Sequence, residues 1–199
     1  MAGQLPDVRP LGFGLVDFAD DEVTRWALQA RDGDRDALER FVRATQRDVW
    51  RFVAHLEDVG VADDLTQETF LRALPSLRNF EARSSATTWL LSIARRVVVD
   101  QVRMARSRPR VSPDVDWVQA ADRERGASSG FTGVVELNLL LDELAADRRE
   151  ALVLTQVLGL GYAEAAEVVG CPIGTIRSRV ARAREDLVRA TGRDASETG

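Results

Sequence analysis

The stretch YAEAAEVVGCPIGTIRSRV, running from Tyr162 to Val180, reads as two short helices joined by a tight turn. Ala166 is small where two helices must cross closely. Gly170 permits the positive φ of a helix-ending turn, and Pro172 suits the first turn of a following helix. From there Ile176, Val180, Ala183 and Leu187 recur at helical spacing as a buried stripe. The other faces carry Thr175, Arg177, Ser178, Arg179, Arg182 and Arg184. A second helix whose N-terminal part is polar and arginine-rich suits major-groove docking, because a guanidinium grips guanine bidentately or pairs with phosphate. A solvated arginine-rich helix has the same composition. The glycine turn, the small crossing residue and the segregated arginines together favour DNA binding.

Working outward, helices resume near Val134. Asp147 with Glu150 three residues later forms a capping-box-like start, and Ala151, Leu154 and Leu158 line the helix that Gly159 and Gly161 break. Upstream, Pro109, Pro113, Gly126, Ser128, Ser129 and Gly130 interrupt any period, which predicts a linker. Before it stand four helices. The first opens at Asp20-Asp21-Glu22 and stops at Gly33. The second carries the stripe Leu38, Phe41, Val42, Val49, Phe52, Val53 and Leu56. The third spans about Ala62 to Leu74 and ends at Pro75. The fourth spans about Ser85 to Arg106, with Ser84-Ser85 as N-cap and Trp89, Leu90, Ile93, Ala94, Val97 and Val102 at helical spacing. The prediction is an all-α protein of two small helical domains, 20–106 and 132–191. A flexible linker over 107–131 joins them, a flexible arm covers 1–19, and a disordered tail covers 192–199.

Composition narrows the chemistry. The chain has 199 residues and a net charge of −5. All 27 basic residues are arginine, so no P-loop, Schiff-base or general-base lysine is available. One histidine (His55) and one cysteine (Cys171) cannot build a zinc site or a disulfide framework. These counts argue against an enzyme and imply no cofactor or metal. No apolar run approaches the roughly 20 residues of a membrane span, and no signal peptide is visible, which predicts a cytoplasmic protein. The acidic total hides a segregation. Residues 70–110 hold 9 Arg against 2 acids, and residues 172–193 hold 6 Arg against 2 acids. The segments 1–69 and 111–171 are each at −7. Two phosphate-facing surfaces, with other surfaces turned to a different partner, fit this pattern.

The N-terminal half offers two further candidate surfaces. In Val61 to Leu74, Leu65, Phe70 and Leu74 can face a core while Asp63, Asp64, Gln67 and Glu68 project outward. That face suits either plain solvation or docking against a basic partner helix. The arginines from Arg72 to Arg110 enclose Phe80 and Trp89. Such interleaving is how proteins hold single-stranded or flipped bases, and two core aromatics would give the same pattern.

These residues carry a resemblance. Asp63-Asp-Leu-Thr-Gln-Glu-Thr-Phe-Leu-Arg-Ala-Leu74 resembles region 2.2 of extracytoplasmic-function (ECF) sigma factors. Phe80, Ser84-Ser-Ala-Thr-Thr-Trp-Leu-Leu-Ser-Ile-Ala-Arg-Arg96 and Asp100-Gln-Val-Arg103 resemble regions 2.3 and 2.4, and Tyr162 to Arg184 resembles region 4.2. The likeness covers about residues 22–190 and is similar to the actinobacterial, mycobacterial sigma-C branch of the sigma-70 family. It implies that Asp64, Leu65, Gln67, Glu68 and Phe70 dock on core RNA polymerase (β and β′ subunits). Phe80, Ser84, Ser85, Trp89, Arg95, Arg96 and Arg103 would hold the −10 element, melted and single-stranded. Thr175, Arg177, Ser178, Ala181 and Arg182 would face the double-stranded −35 element. An anti-sigma factor is a further implied partner. Two departures leave base preference open: Arg96 stands where the family often has Asn, and Ala181 where some members have an aromatic. An ordinary helix-turn-helix regulator is the competing reading, and it leaves the first ~110 residues without a role.

Overall fold

A computed structural model describes residues 20–107 and 137–197. All regular elements among the described residues are helical. The expectations for the arm over 1–19, for the linker beyond Ser107 and for residues 198–199 lie outside the described residues.

In the first half α1 spans Asp20–Arg31, α2 Arg35–Leu56, α3 Ala62–Ser76 and α4 Ala86–Ser107. Gly33, at φ +106°, turns the chain out of α1, and the Asp34 carboxylate accepts from the Ala37 amide at 3.0 Å to cap α2. Phe41, Phe52, Leu90 and Leu91 are completely buried between the packed helices. Burial of each is worth about 1.5–3 kcal/mol. Pro75 does not end α3 but sits inside its last turn, with a 3₁₀ turn over Leu77–Asn79 following. Its fixed φ is helical, and near a helix end its ring disturbs only a turn that is about to close.

In the second half a helical turn covers residues 137–141. Then α5 spans Ala146–Leu152 and continues as a π turn over Val153–Val157. After it, α6 spans Tyr162–Val169 and α7 Ile173–Glu197. The Leu158 amide bonds the Val153 carbonyl at 3.0 Å, and Gly159 at φ +77° ends the element. The capping box expected from Asp147 and Glu150 does not form: the N-cap is Ala145, without a side-chain bond. Glu150 is drawn elsewhere, as described below. The second half ends in helix as far as Glu197.

The halves do not stand apart. α6 packs on α4 and α5 touches α2, so one apolar core runs through both.

Candidate nucleic-acid interface

Three surfaces emerge from this scaffold. On α3, residues 64, 67, 68, 71 and 74 share a helical face. Asp64 and Gln67 are exposed. Glu68 accepts from Arg72 Nε at 2.7 Å, and Arg72 Nη1 reaches Asp100 Oδ2 at 2.7 Å, tying α3 to α4. Asp100 first, then Glu68, raises the Arg72 guanidinium above its ordinary value. Leu74, expected in the core, lies on this open face beside Leu71, which is 59% exposed. Leu65 is buried and Phe70 half-buried against the core. Of the five predicted docking residues, three therefore sit on the open side and two anchor the helix behind it.

The second surface is the loop before α4 and the face of α4 itself. Phe80 is buried and stacks at 5.0 Å, tilted 46°, on half-buried Trp89. Both rings pack with the core. The Phe80 carbonyl accepts from Arg31 Nη1 at 3.2 Å, and the Ala86 amide donates to Thr24 Oγ1 at 3.0 Å. Thus α1 grips both ends of the loop, through two residues that no sequence spacing singles out. Between them Ala82 holds φ +53°, a strained value for a residue with a Cβ. Half-buried Ser84 precedes Ser85, whose Oγ accepts from the Thr88 amide at 3.1 Å and caps α4 as expected. Arg96 and Arg103 are exposed and, seven residues apart, share one face. Arg95 does not join them. Its Nε donates to Glu150 Oε1 at 2.7 Å and its Nη2 to Oε2 at 3.4 Å, across to the second half.

The third surface is α7. Gly170 adopts φ +73°, and its amide and that of Cys171 both reach the Ala166 carbonyl, at 2.8 and 3.1 Å. This is the turn expected between the paired helices. Ile176, Val180 and Ala183 are buried beneath α7. Arg179 pairs with Asp147 at 3.1 Å, Arg184 bonds Gln156 at 2.9 Å, and Arg148 pairs with Asp186. Arg148 first, with Arg189 adding, holds the Asp186 carboxyl below the usual carboxylate range. These pairs fasten α7 to α5. Arg177, Ser178, Ala181 and Arg182 face outward, with Thr175 half-buried at their N-terminal side. Among the described residues Arg177 and Arg182 hold no ion pair, so both guanidinium forks are available.

The model of sigma-70 region 2 matches residues 41–108, and that of sigma-70 region 4 matches residues 135–187. The chain belongs to the sigma-70 family. It is 58% identical over 169 residues to the ECF RNA polymerase sigma factor SigC of Mycobacterium tuberculosis, covering 85% of this chain and 91% of that protein. It is 33% identical over 171 residues to the ECF RNA polymerase sigma-E factor of Escherichia coli, covering 80% of this chain and 88% of that protein. Among solved structures it is similar to the sigma factor RpoE in complex with the anti-sigma factor NepR from Bartonella quintana. There the TM-score is 0.58 at 28% identity, over 75% of this chain and 93% of that one. CnrH, solved with the cytosolic domain of CnrY, shares the fold at TM-score 0.68 and 22% identity, over 87% of this chain and 99% of that one. In this sigma-70 member the region 2 half carries the first two surfaces and the region 4 half the third.

Proposed function

We propose that the chain is a promoter-specificity factor of the cytoplasm that acts without catalysis, through binding alone. The open face of α3, with Asp64, Gln67, Glu68, Leu71 and Leu74, docks on core RNA polymerase. Arg177, Ser178 and Arg182 of α7 read the −35 element in the major groove, with Thr175 and Ala181 completing the contact. Arg96 and Arg103, joined by Arg95 once its bonds to Glu150 are released, hold the −10 backbone, while the strained loop from Phe80 to Ser85 beside Trp89 receives an unstacked base. Opening then costs a few kcal/mol of unstacking, offset by contacts made only after melting. Candidate partners are thus core polymerase, promoter DNA and an anti-sigma factor.

The observation that carries the reading is the separation of two exposed arginine sets onto two family-matched halves of an acidic chain. At −5 overall the free factor is a poor ligand for phosphates. Placed on polymerase, each half raises the effective concentration of the other at its element. Among the described residues no helix is long and apolar enough to cross a membrane.

Gel-shift of a promoter fragment by the factor, by core polymerase and by both together tests this. The shifted complex is expected only with both. Gln67→Ala is expected to weaken it on any promoter. Arg182→Ala is expected to cost about 1–3 kcal/mol, and only where the −35 element is intact. Tight binding by the factor alone would favour an ordinary helix-turn-helix regulator.

A further inference from the structure

We propose that the contact between the two halves is a proton-sensitive latch, in which protonation of His55 releases the region 4 half from the region 2 half and opens the free factor. The latch rests on the closed arrangement of the halves; its consequence at promoters rests on the sigma-factor reading.

His55 lies in the last turn of α2 and is 1% exposed. Its Nδ1 is 2.6 Å from Asn138 Oδ1, and Asn138 Nδ2 donates to the Ala54 carbonyl at 2.7 Å. The second bond assigns the amide's orientation, so Oδ1 faces the ring and Nδ1 carries the hydrogen. The chain's one histidine is thereby a plug between halves rather than a free surface group.

Arg51 on α2 and Arg149 on α5 act on His55 electrostatically, with Asn138 on the turn over 137–141 in direct contact. Glu57, just past α2, acts on Arg149, and burial raises its own carboxyl. Arg149 is further committed to the Leu141 carbonyl at 3.0 Å and to Asp142. A charge on the closed imidazole is thus desolvated and opposed by the charges of Arg51 and Arg149. Burial first, with Arg51 and Arg149 adding, holds the imidazole below its ordinary value, and the Asn138 bond opposes this only partly.

Once the halves part, Asn138 and Arg149 leave and water reaches the ring. Its affinity for a proton then returns toward the usual value of about 6.5. A base that binds protons more weakly when closed makes closure strongest above that value. Closure weakens as pH falls through it, by at most about tenfold in the closed-to-open ratio per pH unit for one proton. The loss continues until the closed form itself protonates. Since Arg95 is bonded to Glu150 in the closed form, opening also frees a −10 arginine.

With one histidine, the imidazole resonance needs no assignment by mutation. The test follows it by ¹H–¹⁵N NMR on the whole chain from about pH 7.5 to 5.5, with small-angle scattering and far-UV circular dichroism alongside. The imidazole is expected to titrate below 6.5, with the radius of gyration rising over the same range at constant helix content. His55→Gln, which keeps a donor but never charges, is expected to hold the radius flat. Asn138→Asp supplies a carboxylate to the imidazolium and is expected to reverse the trend, so that acid tightens closure. If His55→Gln does not fold, Asn138→Asp carries the test. A radius that stays constant through the imidazole titration, or an equal opening in His55→Gln, would overturn the latch. So would a chain already extended at neutral pH, and none of these results touches the polymerase gel-shift.

Discussion

Glu150→Ala is the perturbation whose effect the geometry sizes most directly. The carboxylate is 11% exposed and receives two bonds from Arg95, at 2.7 and 3.4 Å, across the boundary between the halves. A hydrogen bond to a charged group contributes about 1.5–3 kcal/mol. Arg95 is 30% exposed and can rehydrate when its partner is removed, which puts the loss near the lower end, about 1.5 kcal/mol, roughly tenfold in the closed-to-open ratio. A full buried-pair penalty of about 3–5 kcal/mol does not apply to so accessible a cation. The assay is a double-mutant cycle on the full chain, with Arg95→Ala, Glu150→Ala and the double variant followed by urea unfolding at neutral pH. A coupling near 1.5 kcal/mol is expected. A coupling within about 0.3 kcal/mol of zero would refute the reasoning that this pair holds the halves together.

Gly170→Ala meets no neighbour within 4 Å, so its cost is backbone strain alone at φ +73°. That is about 1–2 kcal/mol, read as a lower urea midpoint with an unchanged slope. Ser85→Ala removes the α4 cap and is expected to destabilise the chain by about 1 kcal/mol, while Ser85→Asn retains most of the stability. Leu71→Ser on the open face of α3 is expected to leave stability within about 0.5 kcal/mol while weakening polymerase association in a competition assay. Leu65→Ala, behind the same helix, is expected to cost about 2–5 kcal/mol of stability.

What was legible in the sequence is what local chemistry dictates. Gly33, Ser85 and Gly170 mark helix ends by capping and by φ, and all three act as their residue types predict. Of the stripe Ile176, Val180, Ala183 and Leu187, read from period alone, the first three are buried and Leu187 is half-buried. The misses are tertiary. Asp147 and Glu150 have capping-box spacing, yet Glu150 finds a guanidinium on α4, 55 residues away in sequence, and Asp147 pairs with Arg179. Leu74 has the period of a core residue but falls where α3 faces outward. Thr24 and Arg31, which hold the loop before α4, bond partners 62 and 49 residues away. No local pattern encodes such contacts, nor the meeting of His55 with Asn138 across 83 residues.

The central claim is that two separated arginine faces become a promoter reader when α3 seats the chain on polymerase. Run-off transcription from a promoter with matched −35 and −10 elements, using core polymerase with and without the purified factor, tests it most directly. The account predicts transcripts only when the factor is present, reduced by Gln67→Ala on every template and by Arg182→Ala only on templates that depend on the −35 element. Absence of factor-dependent transcripts, together with tight binding of the factor alone to the same DNA, would contradict it.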